Sequence, residues 1–185
     1  MNRRRWILAA ALLLGAQVAL VLLYLRLERE RAGRNVPIAM EPRLEQGRDI
    51  VVERPDGSRL TIPARSDRYQ LVHFWATWCP PCVKEIPSLT GLARRGPSGV
   101  RVWAVSADPD WESLREFFGG ELPRHVVRDP TGEAASAYSV RQLPDTYLVD
   151  PAGLVIARFA TRQEWDTAEM RATLERLTAG SEPAR

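Results

Sequence analysis

The sequence predicts an α/β domain with a central mixed sheet flanked by helices. Three observations predict it. Short β-rich runs alternate with helical patterns from about residue 49 onward, a strand–turn–strand signal opens that alternation, and a second hairpin and an amphipathic helix close it. At 185 residues the chain is long enough for one globular domain and an appendage.

The appendage comes first. Met1 to Arg5 is a basic stub, and the run from Trp6 to Leu25 carries no charge. A helix of that length crosses a hydrocarbon core of about 30 Å. Trp6 and Tyr24 stand at its ends, where aromatic rings favour the interface. A cleaved signal peptide competes, but it has a shorter apolar region followed by small residues, whereas Arg26-Leu27-Glu28-Arg29 follows here. Residues 1–26 are therefore predicted to form a single N-terminal transmembrane helix, 27–48 a polar linker, 49–180 the domain and 181–185 a tail. Arginines flank both sides of the apolar run, so charge alone does not orient it. Residues 1–35 carry +5 of the formal net charge of +3, leaving the rest at −2. The basic balance thus belongs to the anchor and does not argue for a nucleic-acid partner.

Within the domain, Asp49–Arg54 and Ser58–Ile62 flank Pro55-Asp56-Gly57, a turn between two short strands. Tyr69–Trp75 is rich in β-formers and reads as a buried strand. Val83, Ile86, Leu89 and Leu92 then recur at helical spacing, predicting a helix from about Pro81 to Arg94, with a kink expected at Pro87. Val100–Ser106 reads as a strand, and Asp108 or Asp110 as the cap of a helix ending at Gly119-Gly120. His125–Arg128 is a short strand and Pro130–Tyr138 a short helix. Tyr147–Asp150 and Leu154–Phe159 form a hairpin around Pro151-Ala152-Gly153. A final helix is predicted from about Gln163 to Thr178, with Trp165, Met170, Leu174 and Leu177 as its apolar stripe.

The only two cysteines, Cys79 and Cys82, lie where the buried strand hands over to the first long helix. A thiol at a helix N-terminus meets free backbone N–H groups and the positive end of the dipole, which favour its thiolate. Its neighbour three residues on lies one turn away, within disulfide reach. Thiol–disulfide exchange is the chemistry such a pair performs. Half a zinc site would need four ligands, and only His73 and His125 are available to help. A purely structural bridge over two residues closes almost no loop and restrains the unfolded chain little.

The stretch Val72–Pro87, with Phe74-Trp75-Ala76-Thr77-Trp78-Cys79-Pro80-Pro81-Cys82 and Lys84-Glu85-Ile86-Pro87, closely resembles the thioredoxin-like, membrane-anchored thiol–disulfide oxidoreductases of bacterial envelopes, the TlpA/ResA/CcmG group. The resemblance runs from about Asp49 to Leu177. It implies a thioredoxin-like fold and no cofactor beyond a redox-active Cys79–Cys82 disulfide. It also implies protein disulfide substrates of the cytochrome c maturation or copper-site assembly type, and a membrane thiol-relay reductant. Its location would be the inner (cytoplasmic) membrane, single-pass, with the domain in the periplasm.

On that reading Cys79 is the attacking thiolate, more exposed than Cys82, which faces inward and resolves the mixed disulfide. Pro80 and Pro81 stiffen the loop and donate no N–H to sulfur, which argues against a strongly oxidising protein. Pro144 matches the family's cis-proline opposite the dithiol, where the Leu143 backbone would pair with a bound peptide. Trp78 would add contact surface for substrate. Glu85 shares a helix face with Cys82 and matches a carboxylate thought to move protons there. The alternative for Glu85 is a solvated helix residue near an arginine such as Arg59. His73 is expected on the same strand face as Trp75, either as a proton relay to Cys82 or as a core histidine. Asp145 replaces the family's usual threonine, and a carboxylate near the site would disfavour a thiolate and select basic substrates. His125, Lys84 and Trp75 are read as structural or surface residues. Two alternatives stay open: a Cu(I) carrier using both cysteines and a histidine, and a net disulfide oxidant. A thiol peroxidase fits less well, since Thr77 stands only two residues before Cys79, not in a Thr-x-x-Cys pattern.

Overall fold

The computed structural model describes residues 14–24, 26, 46–96 and 99–179. Residues 14–24 are helical, with Leu14, Leu20, Leu22 and Tyr24 exposed. The rest of the predicted anchor, most of the linker and the tail lie outside the described residues. Among the described residues no helix is long and apolar enough to cross a membrane.

The domain holds strands β1 (Ile50–Glu53), β2 (Arg59–Ile62), β3 (Tyr69–Trp75), β4 (Val100–Ser106), β5 (Val126–Arg128), β6 (Asp145–Val149) and β7 (Val155–Phe159). Its helices are α1 (Pro80–Arg95), α2 (Trp111–Phe118), α3 (Glu133–Ala137) and α4 (Ala168–Ala179). The seven strands form one sheet in the order β2-β1-β5-β4-β3-β6-β7. β3, β4 and β5 run parallel, and the remaining pairs are antiparallel. The mixed sheet expected from the alternation is thus present.

Alternation along β3 explains how two cores form. Leu71 and Trp75 face one side with Cys82, Ile86, Leu89 and Leu92 of α1 and Leu174 of α4. Val72 and Phe74 face the other, with Val52, Val127, Tyr138 and Tyr147. β3 is therefore buried on both faces, which is why its sequence reads as a continuous apolar run.

Three boundaries differ from expectation, and one of the two expected caps of α2 is selected. Gly47 donates its N–H to the Gly153 carbonyl at 2.7 Å and Gln46 bridges Leu154, so the domain starts before residue 49. Asp110, and not Asp108, caps α2, accepting the Ser113 N–H at 2.9 Å. The short helix contracts to Glu133–Ala137. The last helix begins at Ala168, behind Thr167, whose Oγ1 accepts the Met170 N–H at 3.1 Å. Trp165 therefore sits in the turn before α4 and not on its stripe, although it is fully buried. Pro87 lies inside α1, which runs unbroken from Pro80 to Arg95.

Candidate active site

Cys79 is the N-cap of α1, and Pro80 and Pro81 are its first two residues. Cys79 and Cys82 are joined in a disulfide with Cα atoms 5.3 Å apart. The Cys79 side is 5% exposed and Cys82 is fully buried, the asymmetry that the helix position predicts. Two prolines at the helix start leave the dipole in place but remove two of its free N–H donors. Trp78 is 63% exposed, and Pro80 and Pro81 are exposed beside it.

The loop carrying Cys79 is anchored from β4. Asp108, buried after that strand, accepts the Thr77 N–H at 3.0 Å, the Thr77 hydroxyl at 2.6 Å and the Ser106 hydroxyl at 2.6 Å. The Ala107 N–H donates to the Trp75 carbonyl at 2.9 Å, closing the loop base.

Behind the disulfide lies a polar cluster cut off from solvent. Glu85 is fully buried, which rules out the solvated alternative near Arg59. One of its oxygens, Oε1, accepts a hydrogen bond from the Trp165 indole N–H, and Oε2 has no hydrogen-bond partner among the described residues. Loss of hydration pushes the Glu85 carboxyl up to about 8, against the smaller opposing pull of the indole N–H. His73 Nδ1 lies 2.8 Å from Thr146 Oγ1 and 3.9 Å from Glu85 Oε1. Burial, with a smaller contribution from the charge of His125, drives His73 down to about 3. His73 is thus neutral around pH 7, and its ring stands edge-on to Trp165 at 6.4 Å.

The Leu143–Pro144 peptide bond is cis. The β3–β6 register ends with Phe74 opposite Asp145, so Pro144 is level with Trp75 at the base of the dithiol loop. Leu143 packs against the core cluster that contains both cysteines. Asp145 is the sequence-based expectation that fails. It is fully buried, bound by Arg158 at 2.7 and 2.9 Å, and accepts the Tyr147 hydroxyl at 2.8 Å. Its carboxylate faces a guanidinium, not substrate. His125, half-buried beside Thr90 and with its imidazole lowered to about 4 by burial and Arg94, is not in the cluster. Among the described residues no group of three His, Cys, Asp or Glu is placed to hold a metal ion.

Sequence reasoning missed Trp165 and Asp108. A helix start at Thr167 was the available signal for the first, and the Ser106-x-Asp108 pair after a strand for the second.

The AhpC/TSA family profile matches residues 45–158, more than half of the chain. The chain belongs to the AhpC/TSA family. Relatives within reach of sequence comparison include sporulation thiol-disulfide oxidoreductase A of Bacillus subtilis (strain 168), 29% identical over 79 residues, covering 40% of this chain and 47% of the relative. A thiol:disulfide interchange protein DsbE homolog of Paracoccus denitrificans (strain Pd 1222) is 38% identical over 72 residues, covering 34% and 38%. The chain spans less than half the length of these curated relatives. Among solved structures, a putative thiol:disulfide interchange protein DsbE from Chlorobium tepidum aligns with TM-score 0.59 at 23% identity, over 72% of this chain and 95% of that one. StoA from Bacillus subtilis aligns with TM-score 0.56 at 20% identity, over 70% and 95%. The family's fold here is thioredoxin-like, and the relatives and neighbours are thiol–disulfide oxidoreductases.

Proposed function

We propose that this chain is a membrane-tethered thiol–disulfide oxidoreductase that reduces disulfides in protein substrates. The observation that carries the reading is the Cys79–Cys82 disulfide at the tip of α1, with a buried carboxyl one turn behind it. The names of the relatives and the family match support the reaction class.

In the reduced protein the Cys79 thiolate attacks one sulfur of a substrate disulfide. The other substrate sulfur leaves as a thiolate and takes a proton from water. Cys82 then gives its proton to Glu85 and attacks the Cys79 sulfur. The second substrate thiolate is released and the Cys79–Cys82 bond is restored, so two electrons have passed to the substrate. A raised carboxyl suits this task, since it holds and returns a proton near neutral pH. Leu143 and the cis Pro144 would line the groove that receives the substrate backbone, with Trp78, Pro80 and Pro81 at its rim. His73, neutral around pH 7, orients the cluster, and as a relay it would pass protons without carrying a charge there.

The exposed apolar side chains of the helical residues 14–24 support an anchor in the cytoplasmic membrane. With the domain in the periplasm, substrates of the cytochrome c maturation or copper-assembly type and a membrane thiol-relay reductant fit. The missing N–H donors at Pro80 and Pro81 favour the reducing direction.

The test is to express Cys82→Ala in cells and recover proteins disulfide-linked to Cys79. Adducts reversed by dithiothreitol and absent from Cys79→Ala are expected. Recovery of none would overturn the exchange reading. Equilibration of the pair with glutathione gives the direction, since a potential near that of strong oxidases would reverse it.

A further inference from the structure

The Trp165 indole is buried in full and donates its N–H to Glu85 Oε1. Its backbone is held by the same turn of α1. The Trp165 N–H donates to Ser88 Oγ at 3.1 Å, and that hydroxyl donates to the Glu85 carbonyl at 2.9 Å. The next residue, Asp166, is paired with Arg95 at the end of α1 and with Arg171 on α4. Gly91, between these contacts, leaves room for the Asp166 carboxylate, which any Cβ at that position would meet. Edge-on packing against Phe159 at 5.1 Å and against His73 fixes the ring from the other side. The turn before α4 is thus fastened to α1 at residues 85, 88 and 95.

We propose that Trp165 is a positioning residue for Glu85, occupying Oε1 so that Oε2 is the oxygen left to take the Cys82 proton. This rests on the exchange chemistry proposed above. Among the described residues, these groups act on the carboxyl. Cys82 lies on its own helix face, and His73 approaches from β3 at 3.9 Å, held by Thr146 of β6. From the turn come the Gln163 backbone N–H, the charges of Arg162 and Glu164, and the indole. A donated hydrogen bond is stronger to a carboxylate than to a carboxylic acid. The indole therefore keeps an otherwise dry carboxyl ionisable within reach of neutral pH, where the resolving step needs it as a base.

The experiment begins with the oxidised full-length protein, in which the cysteines do not titrate. The Trp165 indole N–H resonance should move with pH at the same midpoint as the Glu85 side-chain carboxyl carbon. In Trp165→Phe, which keeps the ring and removes the donor, the carboxyl midpoint should rise by about one pH unit or more. The pH profile for reaction of the reduced protein with oxidised glutathione should shift by the same amount, slowing exchange about tenfold at pH 7. Adding Trp165→Phe to Glu85→Gln should change that profile no further. An indole signal that ignores the Glu85 titration, or an unmoved carboxyl midpoint in Trp165→Phe, overturns the proposal. The indole measurement needs no variant, so it decides the matter even if Trp165→Phe does not fold. A carboxyl that moves while exchange stays put upholds the contact and refutes the proton role given to Glu85.

Discussion

Asp108 holds Thr77 at two atoms, accepting its backbone N–H at 3.0 Å and its hydroxyl at 2.6 Å. The strand end at β4 thereby fixes the loop that presents Cys79, two residues further on. Asp108→Ala leaves the Thr77 N–H and the Ser106 hydroxyl without their acceptor inside a buried pocket. A loss of about 2–4 kcal/mol is expected in urea unfolding, with slower exchange from a loosened Cys79. Unchanged stability would show that the loop is held by other contacts.

Asp145 and Arg158 make a second testable pair. Removing the guanidinium with Arg158→Ala leaves a buried carboxylate uncompensated, at a cost of about 3 kcal/mol. Asp145→Asn in the same background should recover part of that loss, since the buried charge is then gone. If Asp145 instead faced substrate, Asp145→Asn would alter exchange with basic and acidic peptides differently, and a burial-only role predicts no such difference.

Glu85 and His73 give opposite contributions to stability against pH. Glu85 has a folded value near 8, above the ordinary 4.5, so folding favours its protonated form and stability falls as pH rises from 4.5 to 8. His73 has a folded value near 3, below the ordinary 6.5, so folding favours its neutral form and stability falls as pH drops from 6.5 to 3. Each slope is at most about 1.4 kcal/mol per pH unit. Between pH 4.5 and 6.5 Glu85 opposes His73, while His125, whose folded value near 4 also lies below 6.5, adds a second histidine slope, so stability is expected to rise with pH there in the oxidised protein. Glu85→Gln should remove the decline on the alkaline side and steepen the rise between pH 4.5 and 6.5. Denaturant titrations at pH 4, 5.5 and 7.5 check this, and an unaltered alkaline limb in the variant would contradict it.

Trp78, Pro80 and Pro81 expose apolar surface around a sulfur that barely reaches water. A peptide lying across that rim gains contacts that a small disulfide does not. Trp78→Ala should therefore slow reduction of a protein disulfide about tenfold and leave reaction with oxidised glutathione nearly unchanged. Equal losses with both would place Trp78 in the support of the loop instead.

Much of this was legible in the residues. Leu71, Val72, Phe74 and Trp75 announce a doubly buried strand, and Ile86, Leu89 and Leu92 the helix face that covers it, because local periodicity follows burial. Cys79 at the junction then follows. What stayed hidden depends on contacts distant in sequence. Trp165 matches a helical stripe well enough to be placed in the last helix, and only the Thr167 cap shows that the helix starts after it. Asp145 looks like a site acid until the β6–β7 hairpin brings Arg158 beside it. Asp108 competes with Asp110 for one cap, and the position of Thr77 decides what the loser does instead.

Trp78 stands mostly in water one residue from the sulfur–sulfur bond. A disulfide beside an indole dims its emission by drawing off the excited electron, and two thiols do so far less. The chain thus carries its own lamp, which should brighten on reduction and fade on turnover, so its catalytic cycle can be followed by light without any label.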